Sequence, residues 1–396
     1  MNYCDLPNYN STGMVDERRR FDRLSRTATL QGEAFERWTS SAVGVFGAGV
    51  LGSRLAIELV RSGINCCVVF DFDKVSEENL GNQAFTTQGV LKADALRDAC
   101  DAIRPGIAES RPIDLCHVGV GELSKLDAIV DATDDPKLES IITELSNGLQ
   151  IPMLRIAVDG SGEKELGRVQ VSHGGKGYAC RLCPKRLEEL RQSLPRTPCP
   201  QAKSSGLPPT LAGNGIAMTV AGIAIVQLQR LIGKTALERV LNSQIIVDLD
   251  NFQMFSMIEQ RSENCLSGHV VWRLLRANAE AGHTTLGELF DVATKLMGWA
   301  VDVLEPYNHA FCLSARCECG ELTEAVGTSW AIPPQCSRCR RDMNWEPHTR
   351  KPSWTYEEAQ TAGILDRTLV DLGLPTKGAM FIARKEEKPP ERIVLL

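Results

Sequence analysis

Residues 43–61 read Val43-Gly-Val-Phe-Gly47-Ala-Gly49-Val-Leu-Gly52-Ser-Arg54-Leu-Ala-Ile-Glu-Leu-Val-Arg61. An apolar strand runs into three spaced glycines, and a helix with a period near 3.6 comes next. In such a unit, backbone N–H groups and the helix N-terminus face a phosphate. The glycines permit a tight turn, close approach of a ligand and close packing of the helix. The second predicted strand, 65–73, ends in Asp71-Phe72-Asp73, with Asp71 19 residues beyond Gly52. A carboxylate there is placed to hold a ribose hydroxyl; a solvated strand end is the plainer alternative. To this point a nicotinamide-dependent oxidoreductase and an ATP user fit equally well.

The 396 residues are 43% apolar and 24% charged, with 33 Gly, 19 Pro and 14 Cys. That length and apolar content predict two or three domains with a substantial core. A net charge of −6 argues against a generally basic nucleic-acid binder. The polar start, MNYCDLPNYN, lacks the apolar core of a secretory signal. The most apolar stretch, 216–226, falls short of the roughly 18 residues that suggest a membrane span. These features predict a cytoplasmic protein with no membrane partner, whose cysteines stay reduced. Cys66, Cys67, Cys100 and Cys116 lie in apolar strand-like or helical stretches and read as packing residues, and Cys4 lies in the polar N-terminal end.

The residues beyond Asp71 separate the two nucleotide readings. Asp71-Phe-Asp73-Lys-Val-Ser-Glu-Glu-Asn79-Leu-Gly-Asn82-Gln83 is succeeded by Lys92, a helix, and a strand ending Val130-Asp131-Ala-Thr-Asp134-Asp135. Hydride transfer does not require this set of polar groups. Activation of a carboxylate by ATP does, because attack on the α-phosphate calls for a magnesium carboxylate, a cation on the phosphates and orienting amides. In order and spacing, Gly47/Gly49/Gly52, Asp71/Asp73/Asn79/Gln83, Lys92 and Asp131-Ala-Thr-Asp134 resemble the ubiquitin-activating superfamily and its bacterial relatives, the adenylyltransferases of molybdopterin and thiamine biosynthesis. The resemblance covers about residues 17–270. It implies ATP and Mg2+, with Asp71 on the ribose, Asp73, Asn79 and Gln83 at the nucleotide, Lys92 on phosphate and Asp134 on magnesium.

There is one departure: the family arginine before the glutamine is Asn82 here. An amide can donate a hydrogen bond but cannot neutralise charge. Either another cation substitutes, with Arg54 in the first turn of the helix the candidate, or turnover is compromised. The second case leaves a non-catalytic nucleotide-binding partner subunit as the rival from another class. Upstream, Arg18-Arg-Arg-Phe21-Asp-Arg23 resembles the family's arginine–aromatic segment. The resemblance implies that Arg23 reaches the partner's ATP across a homodimer interface; a solvated basic helix is the plainer reading.

Nine cysteines remain. Cys180-Arg-Leu-Cys183 is either a redox pair or half of a metal site. Arg261-Ser-Glu-Asn-Cys265-Leu-Ser-Gly268-His269 resembles the family's second zinc half, with Gly268 where a fourth cysteine is expected. The implied set is Cys180, Cys183, Cys265 and His269, a closed Cys3His zinc. Cys317-Glu-Cys319 and Cys336-Ser-Arg-Cys339, separated by 16 residues rich in turn formers, predict a second zinc in a ribbon. Cys312 is either a substitute ligand there or an apolar strand residue. Cys199 lies in the Pro/Ser/Gly-rich segment Leu194–Gly206 with Arg196 and Lys203 nearby. In relatives that pass the acyl group to sulfur, the nucleophile occupies this crossover loop, so the resemblance implies Cys199 as nucleophile. An incidental thiol is the alternative.

Alternating strands and helices over about 41–156 predict a doubly wound, Rossmann-like α/β sheet, with later strands near Val169 and Ile245 and a buried helix over 211–231. A helix is predicted over 270–279. Thr285 with Glu288 predicts a capping box opening a helix through Met297. Strands are predicted around 301–312 and from Ala379, and the terminal 393–396 segment is predicted to pair with a sheet edge or fray. The expected division is a helical arm (1–40), an adenylation domain (41–270), a helical linker (271–310), a zinc ribbon (311–350) and a tail (351–396). The expected function is ATP-dependent activation of a ubiquitin-like or sulfur-carrier protein at its C-terminal glycine. A thioester on Cys199 and handover to a conjugating enzyme would complete the sequence. A peptide or sulfur-carrier adenylyltransferase without thioester is the alternative within the class.

Overall fold

In the computed structural model, which describes residues 21–133, 135–159, 163–173, 177–185 and 212–395, the strand before the glycines is β1 (Ala42–Phe46), buried along its whole length. It lies between β2 (Cys66–Phe70) and β4 (Ala128–Asp131), parallel to both. β3 (Ala108–Arg111) extends the sheet beyond β2, and β5 (Met153–Val158) extends it beyond β4, both in parallel. Three antiparallel strands complete it: β6 (Leu166–Ser172), β7 (Ser243–Asp248) and β8 (Gln253–Ile258). The order is β3-β2-β1-β4-β5-β6-β7-β8. The chain leaves β1 to one side and returns on the other, so a crevice opens at the carboxyl ends of β1 and β4, where open α/β sheets bind ligands.

The described residues form two compact units, the first comprising 21–115, 125–185 and 212–271. Its core gathers Val43, Val45, Leu55, Leu59, Val69 and Val130 between the sheet and its helices. Residues 21–40, expected as an arm, belong to this core: Leu30 is buried, and so is Trp38 of α1 (Glu33–Thr39), whose Nε1 donates to the carbonyl of Ser62 at 2.7 Å. Cys66, Cys67 and Cys100 are buried packing residues. Cys116 is instead half-buried in a 3-10 turn, Leu115–His117.

The apolar helix predicted over 211–231 runs from Asn214 to Gly233. Its 20 residues are long and apolar enough to cross a bilayer, a property missed by judging 216–226 alone. Ile216, Ala217, Val220, Ala221, Ala224 and Leu228 are buried in the core of this unit. β8 is the opposite case. All six of its residues are exposed, among them Met254, Phe255, Met257 and Ile258.

The second unit comprises residues 116–124 and 272–395. Its five-stranded sheet has the order β15-β10-β16-β17-β9, built from β9 (Leu274–Ala277), β10 (Val303–Pro306), β15 (Trp354–Thr355), β16 (Met380–Arg384) and β17 (Glu391–Leu395). The predicted helix at 270–279 is therefore a loop and a strand, and 271–310 carries two strands and a helix of this sheet's core rather than a helical linker. Arg273 and Arg276, three residues apart, mimic a helical period, whereas β9 is held by parallel pairing with Arg392–Leu395. That partner also corrects the reading of the C-terminus: β17 is an interior strand, with Ile393, Val394 and Leu395 buried.

The helix Leu286–Met297 opens with the predicted capping box, Thr285 Oγ1 accepting from the Glu288 N–H while Glu288 accepts from the Thr285 N–H. Satisfying two free donors at once stabilises this helix start by about 1 kcal/mol. In the same unit His117 Nδ1 lies 3.0 Å from His309 Nε2, and the His117 ring stacks on Trp330. Burial and the neighbouring His309 pull the His117 imidazole down to about 4. A smaller sheet holds β11 (Phe311–Arg316), β12 (Leu322–Thr328), β13 (Asn344–Trp345) and β14 (Arg350–Lys351), with β11 paired to the other three.

Candidate active site and metal centres

The turn after β1 is shaped by close backbone approach. Gly47 has φ +89°, and a Cβ there would stand 2.9 Å from the Ala132 carbonyl oxygen. At Gly52 a Cβ would meet the Gly47 carbonyl oxygen at 1.9 Å, so this contact admits only glycine. At Gly49, by contrast, a Cβ would meet nothing within 4 Å among the described atoms. Gly49 precedes the helix Val50–Arg61 (α2), whose N-terminus carries no side-chain cap.

The carboxyl end of β2 closes over this turn. Asp71 accepts from the backbone N–H of Ala48 at 2.7 Å and of Asp73 at 2.8 Å, tying β2 to the glycine turn. Burial pushes its carboxyl up, against the pull of the Ala48 hydrogen bond and the Lys92 charge. Lys92, the first residue of the helix Lys92–Asp101, pairs with Asp73 at 3.1 Å; its side chain is 12% exposed. Asn79 opens the short helix Asn79–Asn82, and its Oδ1 accepts from the Ser76 N–H at 2.9 Å. Across the crevice, Asp131 is fully buried at the end of β4. It accepts from the N–H and hydroxyl of Thr133 and from Arg155 at 2.5 Å. Thus Gly47, Gly49, Gly52, Asp71, Asp73, Asn79, Lys92 and Asp131 all flank the strand ends at the crossover point.

Arg54 Nη2 donates to the Asn82 carbonyl oxygen at 3.1 Å and to Asn214 Oδ1 at 2.6 Å. Beside it three buried polar atoms have no partner among the described residues: Arg54 Nε, Asn82 Oδ1 and Gln83 Oε1. Buried polar groups are normally paired, and leaving them bare costs about 1–3 kcal/mol each. A magnesium nucleotide supplies both kinds of missing partner: phosphate oxygens accept, while ribose hydroxyls and metal-bound waters donate. Arg23 is exposed at the start of a 3-10 turn, Leu24–Arg26. Asp134 and Cys199, predicted for magnesium and for nucleophilic attack, lie outside the described residues.

The four residues predicted as the first zinc set come together. The ligand atoms of Cys180, Cys183, Cys265 and His269 all lie within 4.8 Å of one another. Cys180 Sγ is 3.4 Å from Cys265 Sγ, and Cys183 Sγ is 3.2 Å from His269 Nε2. Gly268 and His269 both take positive φ, +62° and +50°, the turn that swings the imidazole in where a cysteine was expected. Donation from the Cys180 thiol pulls Cys265 down to about 4 and leaves Cys180 well above its usual range. Tetrahedral zinc with Zn–S of about 2.3 Å puts sulfurs roughly 3.8 Å apart, so this crowd of thiolate and imidazole donors fits the ion.

Two supports of this cluster were invisible in the sequence. The carboxylate of Glu139, 3% exposed on the helix Pro136–Leu149, pairs with Arg181 at 2.5 Å and with Lys185. Farther along the same helix, Asn147 Nδ2 donates at 3.0 Å to Ser267 Oγ, which also lies 3.3 Å from Cys180 and Cys265. No local pattern marks either link.

The second set, Cys317, Cys319, Cys336 and Cys339, also converges within 4.8 Å. Cys317 lies 3.4 Å from Cys339, and Cys319 lies 3.6 Å from Cys336. Both pairs sit on tight turns, closed by Gly320 N–H to Cys317 and by Arg340 N–H to Cys336. Cys312 is buried in β11, outside this group.

The adenylyltransferase and sulfurtransferase MOCS3 of Arabidopsis thaliana is 26% identical over 244 residues, covering 60% of this chain and 50% of that protein. The molybdopterin-synthase adenylyltransferase of Escherichia coli is 29% identical over 175 residues, covering 42% of this chain and 68% of that protein. The chain thus spans about half the length of the first of these relatives. Among solved structures, E. coli MccB superposes with a TM-score of 0.51 at 18% identity, over 68% of this chain and 76% of that one, a likeness of fold. The ThiF family model matches residues 21–267, which is more than half of the sequence. The chain belongs to the ThiF family.

Proposed function

We propose that this protein is an ATP-dependent adenylyltransferase that activates the C-terminal carboxylate of a small carrier protein or peptide. The observation that carries the reading is the meeting, at one crossover point, of a close-packed glycine turn, the Asp71/Asp73/Lys92 group and the Asp131–Thr133 turn. The names of the curated relatives, adenylyltransferases, support it.

In this reading the amides of α2 and Lys92 hold the phosphates, Asp71 and Asn79 orient the ribose end, and Asp134 takes the magnesium. A carboxylate oxygen of the substrate forms a bond to the α-phosphorus, the bond from that phosphorus to the bridging oxygen breaks, and pyrophosphate leaves. The two cysteine clusters hold structural zinc. The finer steps are part of the same proposal: capture of the acyl group by Cys199 with loss of AMP, transfer to a conjugating enzyme, and Arg23 completing the site of a second protomer in the cytoplasm. The apolar edge strand β8 offers a surface for a small-protein substrate.

Pyrophosphate exchange tests the reading. Labelled pyrophosphate is expected to enter ATP only when a carrier with a free C-terminal glycine is present. Nucleotide binding without exchange, across a panel of such carriers, would favour the non-catalytic subunit suggested by Asn82. A thiol-sensitive adduct that disappears in Cys199→Ala while exchange persists separates thioester formation from adenylation alone.

A further inference from the structure

We propose that Arg54, on the first turns of α2, is a second phosphate-binding cation of this site beside Lys92. The inference rests on the ATP reading above and goes beyond it by naming the residue that meets the added negative charge.

Three carboxylates, Asp71, Asp73 and Asp131, flank the glycine turn. The cations beside them are already engaged: Lys92 pairs with Asp73, and Arg155 pairs with Asp131. A triphosphate brought into this ring needs, besides Lys92, a cation that is not already neutralised. Arg54 is half-buried and has no carboxylate partner among the described residues; its two bonds, to the Asn82 carbonyl and to Asn214 Oδ1, are both to neutral oxygens. Its Nε is a buried donor with nothing to donate to among the described residues. A guanidinium can serve two neutral acceptors through one nitrogen and present its remaining N–H groups to an anion, since its five donors are fixed in a planar fork.

Position agrees with chemistry. Arg54 stands on the helix whose N-terminus comes after the open Gly49, and its guanidinium touches the end of the helix Asn79–Asn82. There Asn82 Oδ1 and Gln83 Oε1 are also buried without partners among the described residues. Three unsatisfied polar atoms at one place, one of them cationic, mark where a charged ligand and its bound waters complete the structure. A purely structural role explains the two neutral contacts but leaves the buried Nε without purpose.

The test is direct binding of ATP and of adenosine to the full chain by calorimetry, using Arg54→Gln, Arg54→Lys and Arg54→Gln combined with Asn82→Arg. Arg54→Gln keeps an amide donor for the Asn82 and Asn214 contacts while removing the charge. It is expected to weaken ATP binding about tenfold or more and to leave adenosine binding within about twofold, the pattern of a lost charge-assisted phosphate contact. Arg54→Lys and the double variant are each expected to recover most of the ATP affinity, because both restore a cation to the same spot. ATP affinity unchanged in Arg54→Gln would overturn the proposal. So would equal losses for ATP and adenosine with no recovery in the double variant, which is the mark of a structural prop. A native chain that binds no ATP would instead overturn the nucleotide reading itself, and this proposal with it.

Discussion

The two cysteine clusters use the same kind of donors but are built in different ways. The ribbon takes all its ligands from Cys317–Cys339, on two turns close in sequence, and its apolar lining is little more than Ala315, Met343 and Trp345. The knuckle joins Cys180 and Cys183 to Cys265 and His269, more than 80 residues away, and is bolted by Glu139 and Asn147 to a helix of a large α/β core. The difference teaches what a bound metal would do in each. In the ribbon, metal would replace a core too small to fold unaided. In the knuckle, it would pin two distant chain segments to a fold that already has a core.

The largest expected effect comes from removing metal. Chelation is expected to abolish amide-exchange protection over residues 311–351, since structural zinc in such small units contributes about 10 kcal/mol or more. Amides of β1, β2 and β4 are expected to keep theirs. Equal loss in both places would erase the distinction between the clusters. Next, Cys265→Ser is expected to lower bound zinc from two equivalents per chain to one while ribbon protection persists, as read by metal analysis and exchange. A variant that loses both ions would mean that the clusters are not independent.

Glu139→Gln sharpens the comparison further. It removes the buried carboxylate that Arg181 and Lys185 share, leaving Arg181 only the more distant charge of Glu259, at a cost of about 3 kcal/mol. It is also expected to speed zinc release from the knuckle alone, measured with a chromogenic chelator. An unchanged release rate would show that the buttress does not act on the metal loop. The smallest effect concerns acid. His117 is neutral in the folded chain down to about pH 4, against an ordinary imidazole value of 6.5. The unfolded chain therefore takes up the proton first. The contribution of this group to stability is complete above about 6.5 and is lost as pH falls toward 4. His117→Gln is expected to flatten the loss of stability of the second unit over that window in acid-unfolding curves; a slope identical to the native one would remove the group from consideration.

Legibility tracked the distance between interacting residues. The glycine turn, the capping box at Thr285 and the ribbon cysteines could be read because each is written within a few residues or one short hairpin. Even His269 was reachable, because its displacement from Gly268 is a single step. The helix misread at 270–279 shows the limit: the spacing of Arg273 and Arg276 suits a helix, and only the terminal strand β17, more than 100 residues away, makes β9 a strand. The pairing of Glu139 with Arg181 and Lys185 left no local trace either, because an isolated Glu on a helix looks like any solvated one until its neighbours are known.

Sequence by itself determined the α/β crevice, the polar residues that gather at its strand ends and the membership of both cysteine-rich clusters, because these depend on backbone permissiveness and side-chain chemistry at short range. Tertiary structure alone decided that β17 is an interior strand, that Glu139 buttresses the knuckle, and that Arg54 stands against Asn82 with a donor unsatisfied. Those outcomes depend on which distant surfaces exclude water together, and on which buried charges are left with or without a partner when they do.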